Sequence, residues 1–151
     1  MCIRDRDNLS KCLEEAYLLY FNTRKDIKLN LIKPENDIYF HFDTLQISRC
    51  FSNLIKNAIE AVEKIPNPAV EVLLATDDKN IKIEIKDNGV GIDEKMLSKI
   101  FEPYFTTKTK GTGLGLSIVK RIIEDHGGKI KIEKNKNMAG TTSLINFEYN
   151  A

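Results

Sequence analysis

Little in this chain points to a disulfide framework, a zinc site or a nucleic-acid partner. Cysteine is scarce: three residues in 151, at positions 2, 12 and 50, with no C-x-x-C spacing. An odd, sparse count argues against a disulfide framework or a zinc site and fits packing roles in a reducing compartment. There are two histidines, His41 in a candidate strand and His126 before a glycine pair, and each reads as structural. An excess of one charge is also missing. Twenty-three Lys and Arg against 22 Asp and Glu leave a net +1, so no basic surface dominates and no nucleic-acid partner is expected. No apolar run approaches the roughly 18 to 20 residues of a membrane span. Met1 to Arg6 has the charge but not the apolar stretch of a signal peptide, and M-C-I-R-D-R reads as a non-native scar over residues 1–6. The P-loop string G-x-x-x-x-G-K-[ST] is absent, and Gly111, Gly113 and Gly115 follow a lysine-rich loop instead of a strand, unlike a dinucleotide fingerprint.

What is present is an ordinary globular balance, 42% apolar and 30% charged, long enough for one domain with a real core. Asn8 to Phe21 carries a helical stripe at Leu9, Cys12, Leu13, Ala16, Tyr17 and Tyr20. Ile27 to Ile32 and Ile38 to Phe42 alternate around a break at Lys33 to Asp37, which predicts a hairpin. Asp43 or Thr44 caps a long helix running to Ile65, before Pro66 and Pro68. Its apolar face steps through Ile47, Phe51, Leu54, Ile55, Ala58, Val62 and Ile65, while Asn53, Asn57 and Glu60 share another face. Strands are expected at Val70 to Thr76 and Ile81 to Lys86, the second delivering Asp87 at its end. Asp93 caps a short helix, a further helix runs from Leu114 to the Gly127-Gly128 stop, and Lys129 to Lys134 and Thr142 to Tyr149 form a last hairpin.

Chemistry concentrates between Asp87 and Ser117, in D-N-G-V-G-I, then F-E-P-Y-F-T-T-K, then G-T-G-L-G-L-S. Glycines at this density let a backbone approach a ligand. The second cluster opens a helix, whose bare amides and dipole make an anion site. A carboxylate before one glycine turn and a phosphate cradle at another suggest a purine nucleotide. Two asparagines one turn apart on a helix, where asparagine is a mediocre former, offer amide oxygens to a hard cation such as Mg²⁺ without adding charge that repels phosphates.

These residues resemble a known superfamily. N-L-I-K-N-A-I-E-A resembles the N box of the GHKL superfamily, and the three later strings resemble its first glycine box, F box and second glycine box, in family order. The wording is similar to that of bacterial two-component sensor histidine kinases, most of all the nitrogen-regulation sensors of the NtrY group. The resemblance implies the Bergerat fold, an α/β two-layer sandwich with a mixed sheet and helices on one face, and ATP with Mg²⁺ as ligands. It implies that Asp87 accepts the adenine amino hydrogen, with Gly89 and Gly91 admitting the base and Thr141 supporting it. Asn57 would hold Mg²⁺, with Asn53 assisting. Phe101 and Phe105 would anchor a lid over Thr106 to Gly113, mobile without nucleotide. Lys108 would reach the terminal phosphates, cradled by the amides of Gly111, Thr112, Gly113, Leu114, Gly115 and Leu116.

ATPase relatives such as gyrase and the MutL mismatch-repair proteins carry a water-activating glutamate where this chain has Asn53. Its absence points to a nucleophile supplied from outside, a histidine on a dimerisation and phosphoacceptor domain, and from there a response-regulator receiver domain. Neither His41 nor His126 lies in such a phosphoacceptor helix. The chain is therefore expected to be a cytoplasmic catalytic domain over residues 26–151. Residues 7–25 are expected to be a linker helix from the missing domain, and the homodimeric parent to be anchored in the bacterial inner membrane. The alternatives are another GHKL ATPase, an anti-sigma-factor serine kinase, or a nucleotide-binding scaffold without transfer activity.

Overall fold

The computed structural model of the protein describes residues 5–103, 105 and 115–148. Strand β1 (Asp5–Asn8) leads into helix α1 (Leu9–Phe21). Strands β2 (Lys28–Ile32) and β3 (Tyr39–Phe42) follow, then helix α2 (Thr44–Val62). Strands β4 (Ala69–Thr76) and β5 (Asn80–Asp87) precede the short helix α3 (Glu94–Leu97). Helix α4 (Gly115–Asp125) and strands β6 (Gly128–Lys134) and β7 (Thr141–Glu148) close the order.

Five strands form one mixed sheet in the order β2-β4-β5-β7-β6, with β2 parallel to β4 and the other pairs antiparallel. Every second residue of the inner strands is buried: Val70, Val72 and Leu74, then Ile81, Ile83 and Ile85, then Ile145 and Phe147. That alternation is what a sheet covered on one face requires. The cover is helical. α2 lies between α1 and α4 and buries Ile47, Phe51, Leu54, Ile55, Ile59 and Val62 in the same core as Leu9 and Leu13 of α1 and Val119 and Ile123 of α4. Each fully buried side chain of this size contributes about 1.5–3 kcal/mol, so the helix-on-sheet layer is the main source of stability. The expected two-layer α/β sandwich is thus the observed architecture.

The caps fit their sequences. Asp43 Oδ1 accepts from the Gln46 amide at 3.1 Å to start α2, and Asn8 Oδ1 accepts from the Lys11 amide at 2.9 Å to start α1. Gly127, with φ +75, ends α4 in the left-handed conformation.

One expectation needs correction. Residues 27–32 and 38–42 do not form a hairpin. β2 pairs in parallel with β4, from Lys28↔Ala69 to Ile32↔Leu73, and β3 pairs antiparallel with β1, from Asp5↔Phe42 to Asn8↔Tyr39. Alternation identified both strands correctly but says nothing about partners. Placing β2 on the sheet edge buries Leu29 beside α1, where the Tyr17 hydroxyl donates to the Leu29 carbonyl at 2.8 Å. The β1–β3 ribbon takes in Asp5 and Arg6, from the stretch read as extraneous, and docks through Phe40 against Phe147, ring centroids 5.1 Å apart. α1, expected to be a linker, contributes four residues exposed by 5% or less to the shared core: Leu9, Cys12, Leu13 and Ala16. Among the described residues no helix is long and apolar enough to cross a membrane.

Candidate nucleotide site

Asp87 is the last residue of β5 and is 6% exposed. Burial pushes its carboxyl above the usual aspartate range, opposed by hydrogen bonds from the Gly89 and Thr141 amides. Both bonds fall on one oxygen: Oδ1 accepts from Gly89 N–H at 2.9 Å and from Thr141 N–H at 3.3 Å. Oδ2 takes neither of these bonds. A buried carboxylate with one oxygen tied and the other open suits a donor held in one direction, as an exocyclic amine of a purine is.

The glycines around Asp87 each meet a different neighbour. A Cβ on Gly89 would overlap the carbonyl oxygen of Ala61, so a glycine here lets the end of β5 pack against the backbone of α2. Gly91 has φ +80 and lies beside Gly140, a contact between the two loops that flank Asp87. Gly140, with φ +108, presses on the Asp87 carbonyl so closely that any side chain there would overlap it. Thr141 follows it, 8% exposed, at the first position of β7.

The expected phosphate end lies where α2 meets α4. Asn53 is half-buried and its Nδ2 donates to the carbonyl of Gly115 at 3.4 Å. A Cβ on Gly115 would sit 3.1 Å from that nitrogen, so the glycine lets the start of α4 close on the asparagine. Asn57 lies one turn along α2, also half-buried, and Leu116 packs its side chain against the core. Phe105 is half-buried with its amide donating to the Glu102 carbonyl at 3.2 Å, and Lys120 of α4 reaches the ring of Phe101 at 5.3 Å. Lys108, Gly111, Thr112, Gly113 and Leu114 lie outside the described residues, as does the expected lid. The structure thus gathers Asp87, Gly89, Gly91 and Thr141 at one end of the helical layer and Asn53 and Gly115 where α2 meets α4. Among the described residues no group of His, Cys, Asp and Glu could hold a metal ion. Neutral amide oxygens on α2 fit a cation that arrives with phosphate oxygens, not one held by a protein cage.

Several supporting residues escaped the sequence reading. Asn135 Nδ2 donates to the Asp87 carbonyl at 2.8 Å, and Asn88 Oδ1 accepts from the Ala69 amide at 2.9 Å while its Nδ2 donates to the Asn67 carbonyl at 2.9 Å. His126, read only as a helix-terminal residue, is 7% exposed. Its Nε2 accepts from the Asp43 amide at 3.0 Å and its Nδ1 lies 2.8 Å from the Ile122 carbonyl, which ties the end of α4 to the cap of α2. Of these, only His126 carried a signal in the sequence, as a histidine read as structural before a glycine pair.

Residues 42–150 match the family described as histidine kinase-, DNA gyrase B-, and HSP90-like ATPase. Among curated relatives, sporulation kinase A of Bacillus subtilis is 35% identical over 148 residues, covering 96% of this chain and 24% of its own length. A putative NtrY-like sensor histidine kinase of Rickettsia bellii is 41% identical over 108 residues, covering 72% of this chain and 18% of its own. The chain therefore spans about a quarter or less of these relatives. Among solved structures, the nucleotide-free catalytic domain of histidine kinase ThkA superposes with a TM-score of 0.86 at 33% identity, covering 97% of this chain and 96% of that one. ThkA has also been solved in complex with the response regulator protein TrrA.

Proposed function

The chain belongs to the histidine kinase-, DNA gyrase B- and HSP90-like ATPase family, and we propose that it is the catalytic ATP-binding domain of a longer sensor histidine kinase. In that protein it hands the γ-phosphate of ATP to a histidine on a separate dimerisation domain, from which a response-regulator aspartate receives it. Asp87 reads the adenine amino group through Oδ2, and Thr141 and Gly91 border the base. Asn57 holds Mg²⁺ with Asn53 beside it, and Lys108 with the amides of residues 111–116 holds the phosphates. Bound Mg²⁺ neutralises charge that develops on the phosphate oxygens.

The observation that carries the kinase reading over the ATPase one is Asn53. Its amide donates to the Gly115 carbonyl, where family ATPases carry a general base. An amide cannot take a proton from water, so the site orients phosphates without activating a local nucleophile. Residues 7–25 lead in from the phosphoacceptor domain, the parent is a homodimer, and its anchor lies in the bacterial inner membrane with this domain in the cytoplasm. ThkA's complex with TrrA supports a receiver domain as the onward partner.

The test mixes this domain with the parent's dimerisation domain and radiolabelled ATP. Label should appear on the histidine as an acid-labile, base-stable phosphoramidate, and Asn57→Ala should abolish it. Hydrolysis by the domain alone at about 1 per second or faster, within the ordinary enzyme range, would overturn the kinase reading in favour of an ATPase.

A further inference from the structure

We propose that Asn135 is a positioning residue for the purine end of the site, and that nucleotide selectivity depends on it although it touches no nucleotide. The inference rests on the reading of Asp87 as the adenine acceptor. The β5–β7 ladder runs from Asn80↔Glu148 to Lys86↔Thr142 and stops there. Asp87 is the next residue, where the chain of β7 turns away at Gly140. Its carbonyl is met by the side chain of Asn135, whose Nδ2 donates at 2.8 Å in place of the missing rung.

Asn135 also organises the turn that carries Thr141. Its backbone amide donates to the Gly140 carbonyl at 3.1 Å, and its Nδ2 donates to the Ala139 carbonyl at 3.1 Å. Its Oδ1 accepts from the Thr142 hydroxyl at 2.5 Å. One amide thus spends both donors and an acceptor on three segments: the end of β5, the turn, and the start of β7. No other side chain of this length supplies two donors and an acceptor from one planar group. The consequence falls on Asp87. The Thr141 amide reaches Oδ1 at 3.3 Å, near the limit of a hydrogen bond, so a small outward shift of the turn breaks it. Oδ1 then keeps only the Gly89 amide, the carboxylate is free to rotate, and Oδ2 no longer points in one direction.

The experiment compares wild type, Asn135→Ala and Thr142→Val by calorimetry with ATP, GTP and inorganic tripolyphosphate, all with Mg²⁺, alongside thermal melts. Asn135→Ala should weaken ATP by roughly three- to tenfold, the worth of one lost hydrogen bond, and narrow the ATP to GTP ratio by the same factor. Tripolyphosphate affinity should stay unchanged, because α4 is untouched. Thr142→Val, which only stops aiming the amide, should move the ratio in the same direction by less, and it decides the matter if Asn135→Ala does not fold. An equal loss for ATP and tripolyphosphate would mean a general structural defect and overturn the proposal. So would a wild-type ATP to GTP ratio in the variants. If the wild type itself binds ATP and GTP equally, the Asp87 reading fails and this inference fails with it; selectivity kept in every variant sinks this inference alone.

Discussion

Replacing Asp87 by Asn separates what its two oxygens do. Both backbone hydrogen bonds to the side chain fall on Oδ1, from Gly89 and Thr141, and an asparagine oxygen can accept both. The turn geometry is therefore kept. The change falls on the other position, where an acceptor becomes an NH₂ donor facing the adenine amino group. A hydrogen bond to a charged partner contributes about 1.5–3 kcal/mol, so ATP affinity should fall roughly ten- to 150-fold. Guanine presents an acceptor at the same place, so GTP should lose less and the preference should narrow or invert.

The same substitution has an opposite effect on the unliganded protein. Burial holds the Asp87 carboxyl above the ordinary aspartate value of 3.8, so the folded state binds this proton more tightly than the unfolded chain does. Stability then falls as pH rises through the window from 3.8 to the raised folded value, because the folded state must give up a proton it holds more firmly. Above that window the wild type bears the whole penalty of a desolvated charge, and an amide bears none. Asp87→Asn should melt higher than wild type at pH 7, with the gap shrinking as pH drops towards 3. Calorimetric titration with ATP and GTP, and melts across that pH range, measure both effects. A loss of ATP affinity below about threefold, or a variant that melts lower than wild type at pH 7, refutes the assignment of the two oxygens.

Three further outcomes follow from contacts around the site. Gly89→Ala places a methyl group into the Ala61 carbonyl, so it should destabilise by about 1–3 kcal/mol in a chemical denaturation curve and part β5 from α2. The thiols of Cys12 and Cys50 are both pushed up to about 12 by burial, so iodoacetamide at pH 8 should leave them unlabelled by mass spectrometry until denaturant is added. His126→Leu leaves the Asp43 amide without the imidazole acceptor and should lower stability by about 1–3 kcal/mol. The loss should appear as faster amide exchange at the start of α2.

The fold was legible where one segment carried its own signal. The step of Ile47, Phe51, Leu54, Ile55, Ala58 and Val62 can be satisfied only by a helix with one buried face, and the buried residues of α2 include all six. Between the strands expected at Val70 to Thr76 and Ile81 to Lys86, Asp77 closes the turn because one of its oxygens accepts the Lys79 and Asn80 amides, both at 2.8 Å. Pairing was not legible in the same way. β2 and β3 are adjacent in the chain and alternate alike, yet one joins β4 in parallel and the other joins β1. A strand's alternation fixes which face it buries. Its partner is decided by which neighbour completes the core, and that information lies far along the chain.

The site divides along the same line. Asp87, Asn53, Asn57 and the glycines stand out in the sequence because their residue types and spacing are those a nucleotide ligand would require. The residues that hold them in place bond instead to backbone atoms: Asn135 to the Asp87 carbonyl, Asn88 to the Ala69 amide, His126 to the Asp43 amide. Every residue but proline has such an amide and all have the carbonyl, so no pattern of side chains marks the partner. Gly89 carries a packing role that its place in the motif does not announce. Its spacing resembles a glycine that admits a base, and on its Cβ side it meets the carbonyl of Ala61 on α2. That contact fixes the distance from Asp87 to the helix bearing Asn53 and Asn57. In the proposed reading a purine acceptor and a phosphate end serve one nucleotide only at a set separation, so Gly89 would contribute to binding through the spacing of the two ends.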